Sequence, residues 1–290
     1  QVNAFVKLYD AGDTVPFIAR YRKEKTQNLD DVQLRALEKA LTYERDMATR
    51  RLKITELLSA QGNLNDELQA RIDNATSKLE LEDIYLPYRP RRRSPAAKAR
   101  AAGLDLAAQA LLTQQITPTQ ALADYQLPAI VTDDSGNEID VDFSDFDKQL
   151  AGMQAIIVDE WTQALALLDT LRNGFAKTAS IVSNVASDDK REVGEKFKDY
   201  FEHNESLARL PNHRLLAMLR GRQENVLGLK IEGEDAPFID KIIQHFDIAD
   251  TAPAERHTFL LEAANSLWLD KWRPHIEHRL LTEKRLSAEA

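Results

Sequence analysis

An arginine-rich segment carries the clearest chemical signal in the sequence. Residues 84–100 contain no acidic side chain and six basic ones: Arg89, Arg91, Arg92, Arg93, Lys98 and Arg100. A guanidinium group is planar and binds a phosphate through two parallel hydrogen bonds. Prolines at positions 87, 90 and 95 favour an extended backbone, which would spread the arginines along successive phosphates. The segment therefore predicts contact with a nucleic-acid backbone.

The same segment allows other interpretations. Tyr85 and Tyr88 have rings that can stack on an unpaired base, yet they can equally belong to the hydrophobic core. The arginines can pair with acids on a neighbouring helix or in an acidic loop, or they can contact a partner protein. The residues alone leave these alternatives open.

A second basic cluster follows a short predicted helix and consists of Arg20, Arg22 and Lys23. That helix offers Phe17, Ile18 and Tyr21 for packing. With only about seven residues, it reaches a phosphate backbone more easily than it reads base edges in a groove. Ion pairs within the fold are the alternative role for this cluster.

The overall charge does not exclude nucleic acid as a partner. The chain has 38 Lys and Arg against 47 Asp and Glu, a formal net charge of -9. Residues 126–160 hold nine carboxylates and one lysine, so the rest of the chain is close to neutral. Because the field at a surface depends on the local arrangement of charges, the two basic clusters count for more than the average.

Signatures of catalysis or cofactor binding are absent. The sequence has no GxGxxG, Walker A or GxSxG pattern and no cysteine. His275 and His278 share one helix face without the glutamate of an HExxH motif, so we interpret them as solvated. The acidic run at 133–147 lacks the spacing of an EF-hand. We expect no enzymatic activity, no cofactor and no metal.

The composition predicts a soluble, cytoplasmic protein. The lack of cysteine fits a reducing compartment, and no apolar run approaches the roughly 18–20 residues that span a bilayer. Ten glycines, ten prolines and 7% aromatic residues in 290 favour helices. The predicted fold is all-α, a multi-helix assembly with a helix-turn-helix-like element and at most a short strand pair.

Capping residues and hydrophobic spacing predict where the elements lie. Helix starts are predicted at Thr14, Asp30 or Asp31, Ser94 and Thr117, the second helix running to about Ala60. One buried face is predicted through 144–174, and shorter helices near 188–202, 212–220 and 236–246. A short strand is predicted at 226–231, and a last helix carries an apolar seam from Leu260 to Leu280.

Three regions follow from these boundaries. Residues 1–130 form an N-terminal helical domain with the helix-turn-helix-like element and the arginine-rich segment. Residues 131–144 form an acidic loop, and residues 145–290 form a second helical region. The chain is expected to be a fragment of a longer protein.

Several sequence blocks resemble the bacterial Tex transcription accessory proteins. They include TVPFIARYRKE at 14–24, LEDIYLPYRPRRR at 81–93, ARAAGL at 99–104 and KFKDYF at 196–201. PNHR at 211–214 and LRGR at 219–222 complete an ordered series. One departure is Gln27-Asn28, where a glycine-containing turn is expected. Asparagine tolerates the left-handed conformation that such a turn requires.

The resemblance implies a function and its partners. In this family the N-terminal helices precede an RNase H-like domain, helix-hairpin-helix modules and an OB-fold that binds RNA. The chain would then be the N-terminal module of a transcription accessory factor that binds nucleic acid, with RNA as the first candidate and DNA as the second, mainly through those later domains. Its second helical region, residues 145–290, would lead into a central helical scaffold. The alternative is a helical scaffold that docks the transcription machinery without touching nucleic acid. Neither role involves a membrane.

Overall fold

The computed structural model describes residues 1–88, 94–132, 136–248 and 253–289. The chain folds into two compact units, Gln1–Arg89 and Pro90–Ala290. Helices dominate both units, and the predicted mostly helical fold is confirmed. The three regions 1–130, 131–144 and 145–290 remain a sequence-based prediction.

All the secondary-structure elements in the described residues of the first unit are helices. Its elements are α1 (Val2–Asp10), α2 (Val15–Tyr21), α3 (Asp31–Ala60), α4 (Asp66–Asn74), α5 (Lys78–Tyr85) and a 3₁₀ turn at Leu86–Tyr88. The predicted start of the long helix α3 is confirmed by a capping box. The Gln33 amide donates to the Asp30 carboxylate at 2.8 Å, and the Asp30 amide donates to the Gln33 side chain at 3.0 Å.

Helix α3 supports two separate clusters of apolar side chains. Its first turns pack with α1 and α2 around a small core that consists of Phe5, Val15, Ile18, Leu29 and Leu34. Its second half contacts α4 and α5. There Arg51 donates hydrogen bonds of 3.0 Å to the carbonyls of Ile72 and Ala75, which satisfies the end of α4.

The second unit combines helices with a small sheet. Its elements are α6 (Pro95–Ala101), α7 (Asp105–Thr113), α8 (Pro118–Ala121), α9 (Phe146–Trp161), α10 (Leu165–Thr178), β1 (Ser180–Val185), α11 (Lys190–Val193), β2 (Glu202–Ser206), α12 (Asn212–Gln223), β3 (Leu227–Glu232), α13 (Ala236–His245), α14 (Ala254–Ser266) and α15 (Arg273–Glu289). The predicted caps at Ser94 and Thr117 are confirmed by side-chain hydrogen bonds to the third helical residue.

Two predicted helices differ from the structure. The helix predicted near 188–202 is a single turn, α11, followed by a 3₁₀ segment and the start of β2. Strand β1 holds the end of that segment, since the Ser183 hydroxyl donates to the Tyr200 carbonyl at 2.7 Å and the Val185 amide donates to the Phe201 carbonyl at 3.1 Å. The single helix predicted through 144–174 is divided into α9 and α10. The Thr162 hydroxyl donates to the Asp159 carbonyl at 2.6 Å where α9 ends.

The sheet is antiparallel with the order β2-β1-β3. The strand predicted at 226–231 corresponds to β3, which forms the predicted short pair with β1, and β2 adds a third strand. Ile181 of β1 lies opposite Ile231 of β3, and both side chains are buried in the main core of this unit.

Helices α6 and α9 approach each other closely at a glycine. A Cβ atom on Gly152 would lie 2.7 Å from the Leu104 side chain, 2.7 Å from the Phe143 ring and 3.3 Å from the Ala99 Cβ. These distances leave no room for a methyl group unless core side chains move.

A π-helical segment at Leu267–Trp272 joins α14 to α15. Pro274 is the second residue of α15 and lacks the amide hydrogen of an ordinary helix residue, so the wider turns before it accommodate it. Trp268 stacks on Phe238 with 4.9 Å between ring centroids. Asp235 accepts hydrogen bonds from the Trp268 indole at 2.7 Å and from Arg273 at 2.6 Å. These contacts fix the final helix on the core.

His275 is half-buried on α15, which corrects the prediction of a solvated side chain, whereas His278 is exposed as predicted. Burial lowers the pKa of His275, and the positive charge of Arg172 lowers it further. The neutral imidazole is therefore the favoured form in the folded protein.

We predict that Gly152→Ala lowers the free energy of unfolding by about 1–3 kcal/mol, because the added methyl overpacks the α6–α9 contact. Chemical denaturation followed by circular dichroism measures the change. Gly228→Ala is the matched control, since its Cβ would meet only the Asn184 carbonyl at 3.9 Å. Equal effects of the two substitutions would contradict the packing argument.

We also predict that stability falls as the pH drops below about 6.5, the ordinary pKa of histidine. The folded pKa of His275 lies below the unfolded value, so unfolding takes up a proton in this range. His275→Gln should flatten the slope of unfolding free energy between about pH 7 and 5.5, and exposed His278→Gln should not. An unchanged slope in the His275 variant would refute the assignment.

Candidate nucleic-acid interface

Four arginines of the arginine-rich segment lie outside the described residues: Arg89, Arg91, Arg92 and Arg93. Their phosphate contacts remain a prediction. Of the two neighbouring tyrosines, Tyr85 is buried beside Arg50, whose guanidinium carbon lies 5.6 Å from the ring centroid. Tyr88 is partly buried, and this burial raises its pKa. Tyr85 is therefore a packing residue, and stacking on a base by its ring is ruled out in this conformation.

Helix α6 brings the remaining two residues of that segment into the second unit. Arg100 makes an ion pair of 2.7 Å with Asp159 of α9, while its side chain stays 40% exposed. This ion pair is one of the alternatives that the sequence left open, an arginine paired with an acid on a neighbouring helix. Lys98 is half-buried, and no carboxylate among the described residues forms an ion pair with it. Of the two, Lys98 is the better candidate for an external anion.

The second basic cluster surrounds the C-terminal end of α2. Val15 and Ile18 are buried in the core shared with α3. Phe17 and Arg20 lie on the side of the helix away from Val15, and Tyr21 lies on its flank, since successive residues are rotated by about 100°. One side of α2 thus anchors it, and the other side faces solvent.

A tight turn after α2 holds the basic residues near the helix. The buried Thr26 hydroxyl donates to the Lys23 carbonyl at 3.1 Å. Gln27 and Asn28 take positive φ angles of 56° and 62°. The left-handed conformation that was expected at Asn28 is confirmed, and the turn forms without a glycine.

The three cations of the cluster differ in their surroundings. Arg20 and Lys23 are exposed, and neither forms an ion pair within the described part of the chain. Arg22 is more constrained, with its Nε 3.7 Å from an Asp13 carboxylate oxygen. Its guanidinium carbon lies 5.3 Å from the centroid of the Phe17 ring. Arg20 and Lys23 are therefore the cations of this cluster that are open to a phosphate.

Two aromatic rings lie beside these cations on the solvent side. Phe17 and Tyr21 are 37% and 63% exposed, and their ring centroids are 5.1 Å apart with an interplanar angle of 46°. The sequence predicted packing for both. Spacing does not mark Tyr21 as exposed, because it lies three residues after buried Ile18, a separation that usually puts two residues on the same side of a helix.

Two carboxylates of the acidic region form ion pairs with a lysine at the start of α9. The Lys148 ammonium lies 2.7 Å from Asp142 and 2.9 Å from Asp145, and Asp145 also caps α9 by accepting from the Lys148 amide. Hydrogen bonds from Lys148 hold the pKa of both carboxyls below the usual range, and they raise the pKa of Lys148. These carboxylates are therefore occupied by a local partner.

Other kinds of site find little support in the structure. Within residues 1–88, 94–132, 136–248 and 253–289, no group of three or more His, Asp or Glu side chains could hold a metal ion. In the same ranges, no helix is both long enough and apolar enough to cross a membrane.

Comparison with known proteins identifies the family. The model described as "Tex-like protein N-terminal domain" matches residues 1–59, and the one described as "Tex central region-like" matches residues 118–290. Protein YhgF of Escherichia coli (strain K12) is 40% identical over 299 aligned positions, which cover all of this chain and 37% of that protein. The transcriptional accessory protein Tex of Neisseria gonorrhoeae is 38% identical over 279 positions, covering 93% of this chain and 34% of that protein.

A more distant relative occurs in humans. S1 RNA-binding domain-containing protein 1 of Homo sapiens is 29% identical over 237 positions, covering 79% of this chain and 22% of the human protein. The chain thus spans about a third or less of the length of these relatives. Two family models match its two ends, and relatives at about 40% identity match along its full length, so the chain belongs to the Tex family.

Proposed function

We propose that this chain is a nucleic-acid-binding module of a transcription accessory factor, and that it acts by binding rather than by catalysis. The observation that carries the proposal is the exposed surface of α2, where Arg20 and Lys23 lack ion-pair partners among the described residues. The names of two relatives, a transcriptional accessory protein and an S1 RNA-binding domain protein, support a role in RNA metabolism. The absence of cysteine suits a cytoplasmic location.

Electrostatics of the exposed cations sets the expected mode of binding. A cation that contacts a phosphate releases condensed counterions, which makes the affinity depend on salt but not on base sequence. Arg20 and Lys23 can each neutralise one phosphate, and Lys98 of α6 can neutralise another. With so few contacts, binding by this chain alone should be weak, and tighter binding by the whole protein would require its other domains.

A scaffold without nucleic-acid contact is the second candidate. The Arg100–Asp159 ion pair favours it, because this arginine ties α6 to α9 inside one unit. The Arg22–Asp13 contact has the same character. In such a protein the basic residues would stabilise helix packing, and their removal would affect folding rather than affinity.

We predict that Arg20→Gln combined with Lys23→Gln weakens binding of single-stranded RNA and of duplex DNA. Loss of two phosphate contacts should reduce the slope of log affinity against log salt by roughly 1–2. Fluorescence anisotropy titrations of the 290-residue chain between about 50 and 200 mM salt measure the slope. Since both side chains are exposed, the unfolding free energy should stay within about 0.5 kcal/mol of the parent value.

A matched control removes two positive charges elsewhere. Lys39→Gln with Lys177→Gln gives the same net charge, and both lysines are exposed without an ion pair in the described residues. Lys39 is rotated by about 140° from Leu34 on α3, away from the buried side. Equal slopes in the two double variants would mean that α2 has no specific role.

The arginine-rich segment is tested in parallel. Replacing Arg91, Arg92 and Arg93 together by Gln should lower affinity and slope further if these residues contact phosphates. Arg100→Gln should instead reduce the stability of the chain, because Asp159 loses its partner. If the parent chain fails to bind either nucleic acid even at about 50 mM salt, the scaffold function is the correct one.

A further inference from the structure

The exposed ring pair on α2 is not required for the packing of that helix. Val15 and Ile18, which are 2% and 0% exposed, already supply the contacts of α2 with the core. Phe17 lies on the side of α2 away from Val15, and Tyr21 lies on the flank of the helix. Phe17 is 37% and Tyr21 63% exposed, so both rings have surface available to a ligand.

The charges around the rings indicate what kind of ligand they suit. Residues 20–25 contain Arg20, Arg22, Lys23 and Lys25 against Glu24 alone. All four cations are on or directly after α2, and the Arg22 guanidinium contacts the Phe17 ring. Aromatic rings interleaved with cations match a ligand that carries flat apolar faces and negative charges at a short regular spacing. A nucleic-acid strand has this chemistry.

The geometry favours an unpaired strand over a duplex. In a duplex the base faces are stacked inside, and only edges are accessible in the grooves. Helix α2 has seven residues, too few to lie along a major groove as a recognition helix does. In a single strand the base faces are open, and the Tyr21 ring, 63% exposed, presents a surface on which one can stack.

We propose that Phe17 and Tyr21 form a stacking platform for an unpaired base, while Arg20 and Lys23 bind the adjoining phosphates. This assignment rests on the proposed function and adds to it a binding site on α2 and the way in which an unpaired base would be held there. Arg22 has a supporting role, since its contacts with Asp13 and Phe17 hold the Phe17 ring in place.

The decisive experiment separates bases from phosphates. A single-stranded oligonucleotide is compared with an abasic oligomer of the same length, which has the sugar-phosphate backbone alone. The parent chain should bind the complete strand on the order of 10-fold more tightly than the abasic one. A 2-aminopurine base placed within the strand should lose fluorescence on binding, which reports stacking directly.

Substitutions then assign the preference to the platform. Phe17→Leu with Tyr21→Leu keeps an apolar surface without π faces, and it should abolish both the preference and the fluorescence change. Affinity for the abasic oligomer and its salt slope should be unchanged, since Arg20 and Lys23 are retained. Phe17→Tyr with Tyr21→Phe keeps both rings and should behave like the parent chain.

The outcomes distinguish this inference from the proposed function. If the parent chain binds complete and abasic strands equally, or if the leucine variant keeps the preference, the stacking platform is refuted and phosphate binding stands. A parent chain that binds neither oligomer refutes the proposed function itself. Circular dichroism confirms that the variants fold. Should the leucine variant unfold, Phe17→Trp with Tyr21→Trp provides the second test, because larger rings should strengthen the preference and unchanged affinity would refute it.

Discussion

The burial of Val15 and Ile18 against α3 is the interaction on which the candidate site depends. A helix of seven residues is not stable by itself, because nucleation fixes several residues for few hydrogen bonds. Helix α2 therefore exists, and has a defined orientation, only because these two side chains complete the core with Phe5, Leu29 and Leu34. That orientation alone places Phe17, Arg20 and Tyr21 in solvent. The chemistry of the site is thus a consequence of which two positions the core requires.

In the second unit a similar basic residue, Arg100, is paired within the fold instead of being left unpaired. Gly152 lets α6 come close to α9, and at this short distance Arg100 reaches Asp159. From the sequence, Arg100 is a candidate for binding phosphate. In the structure it forms an ion pair within the fold instead. Arg20 and Arg100 belong to similar basic clusters, but the neighbouring element differs. No acidic side chain pairs with Arg20 among the described residues, whereas α9 presents one to Arg100.

The sequence predicted those features that depend on near neighbours along the chain. The caps at Asp30, Ser94 and Thr117, the extent of α3 and the left-handed Asn28 follow from side chains within a few residues. Strands β1 and β2 were missed because their stability comes from residues far apart in sequence: β1 pairs with β2 across 18 to 26 positions and with β3 across 42 to 52. Phe17 and Tyr21 were assigned to packing because a seven-residue helix holds too few apolar positions to show which side is buried.

The distribution of paired and unpaired charges resolves the apparent conflict between an acidic chain and an anionic ligand. Several carboxylates act locally: Asp142 and Asp145 hold Lys148, and Asp235 accepts from Trp268 and Arg273. A carboxylate with a cation beside it contributes less field at a distance than an isolated one, because the opposite charges partly cancel and salt screens what remains beyond about one Debye length. Arg20 and Lys23 have no such partner in the described chain. The surface of α2 is therefore positive at close range although the protein as a whole carries a net charge of -9.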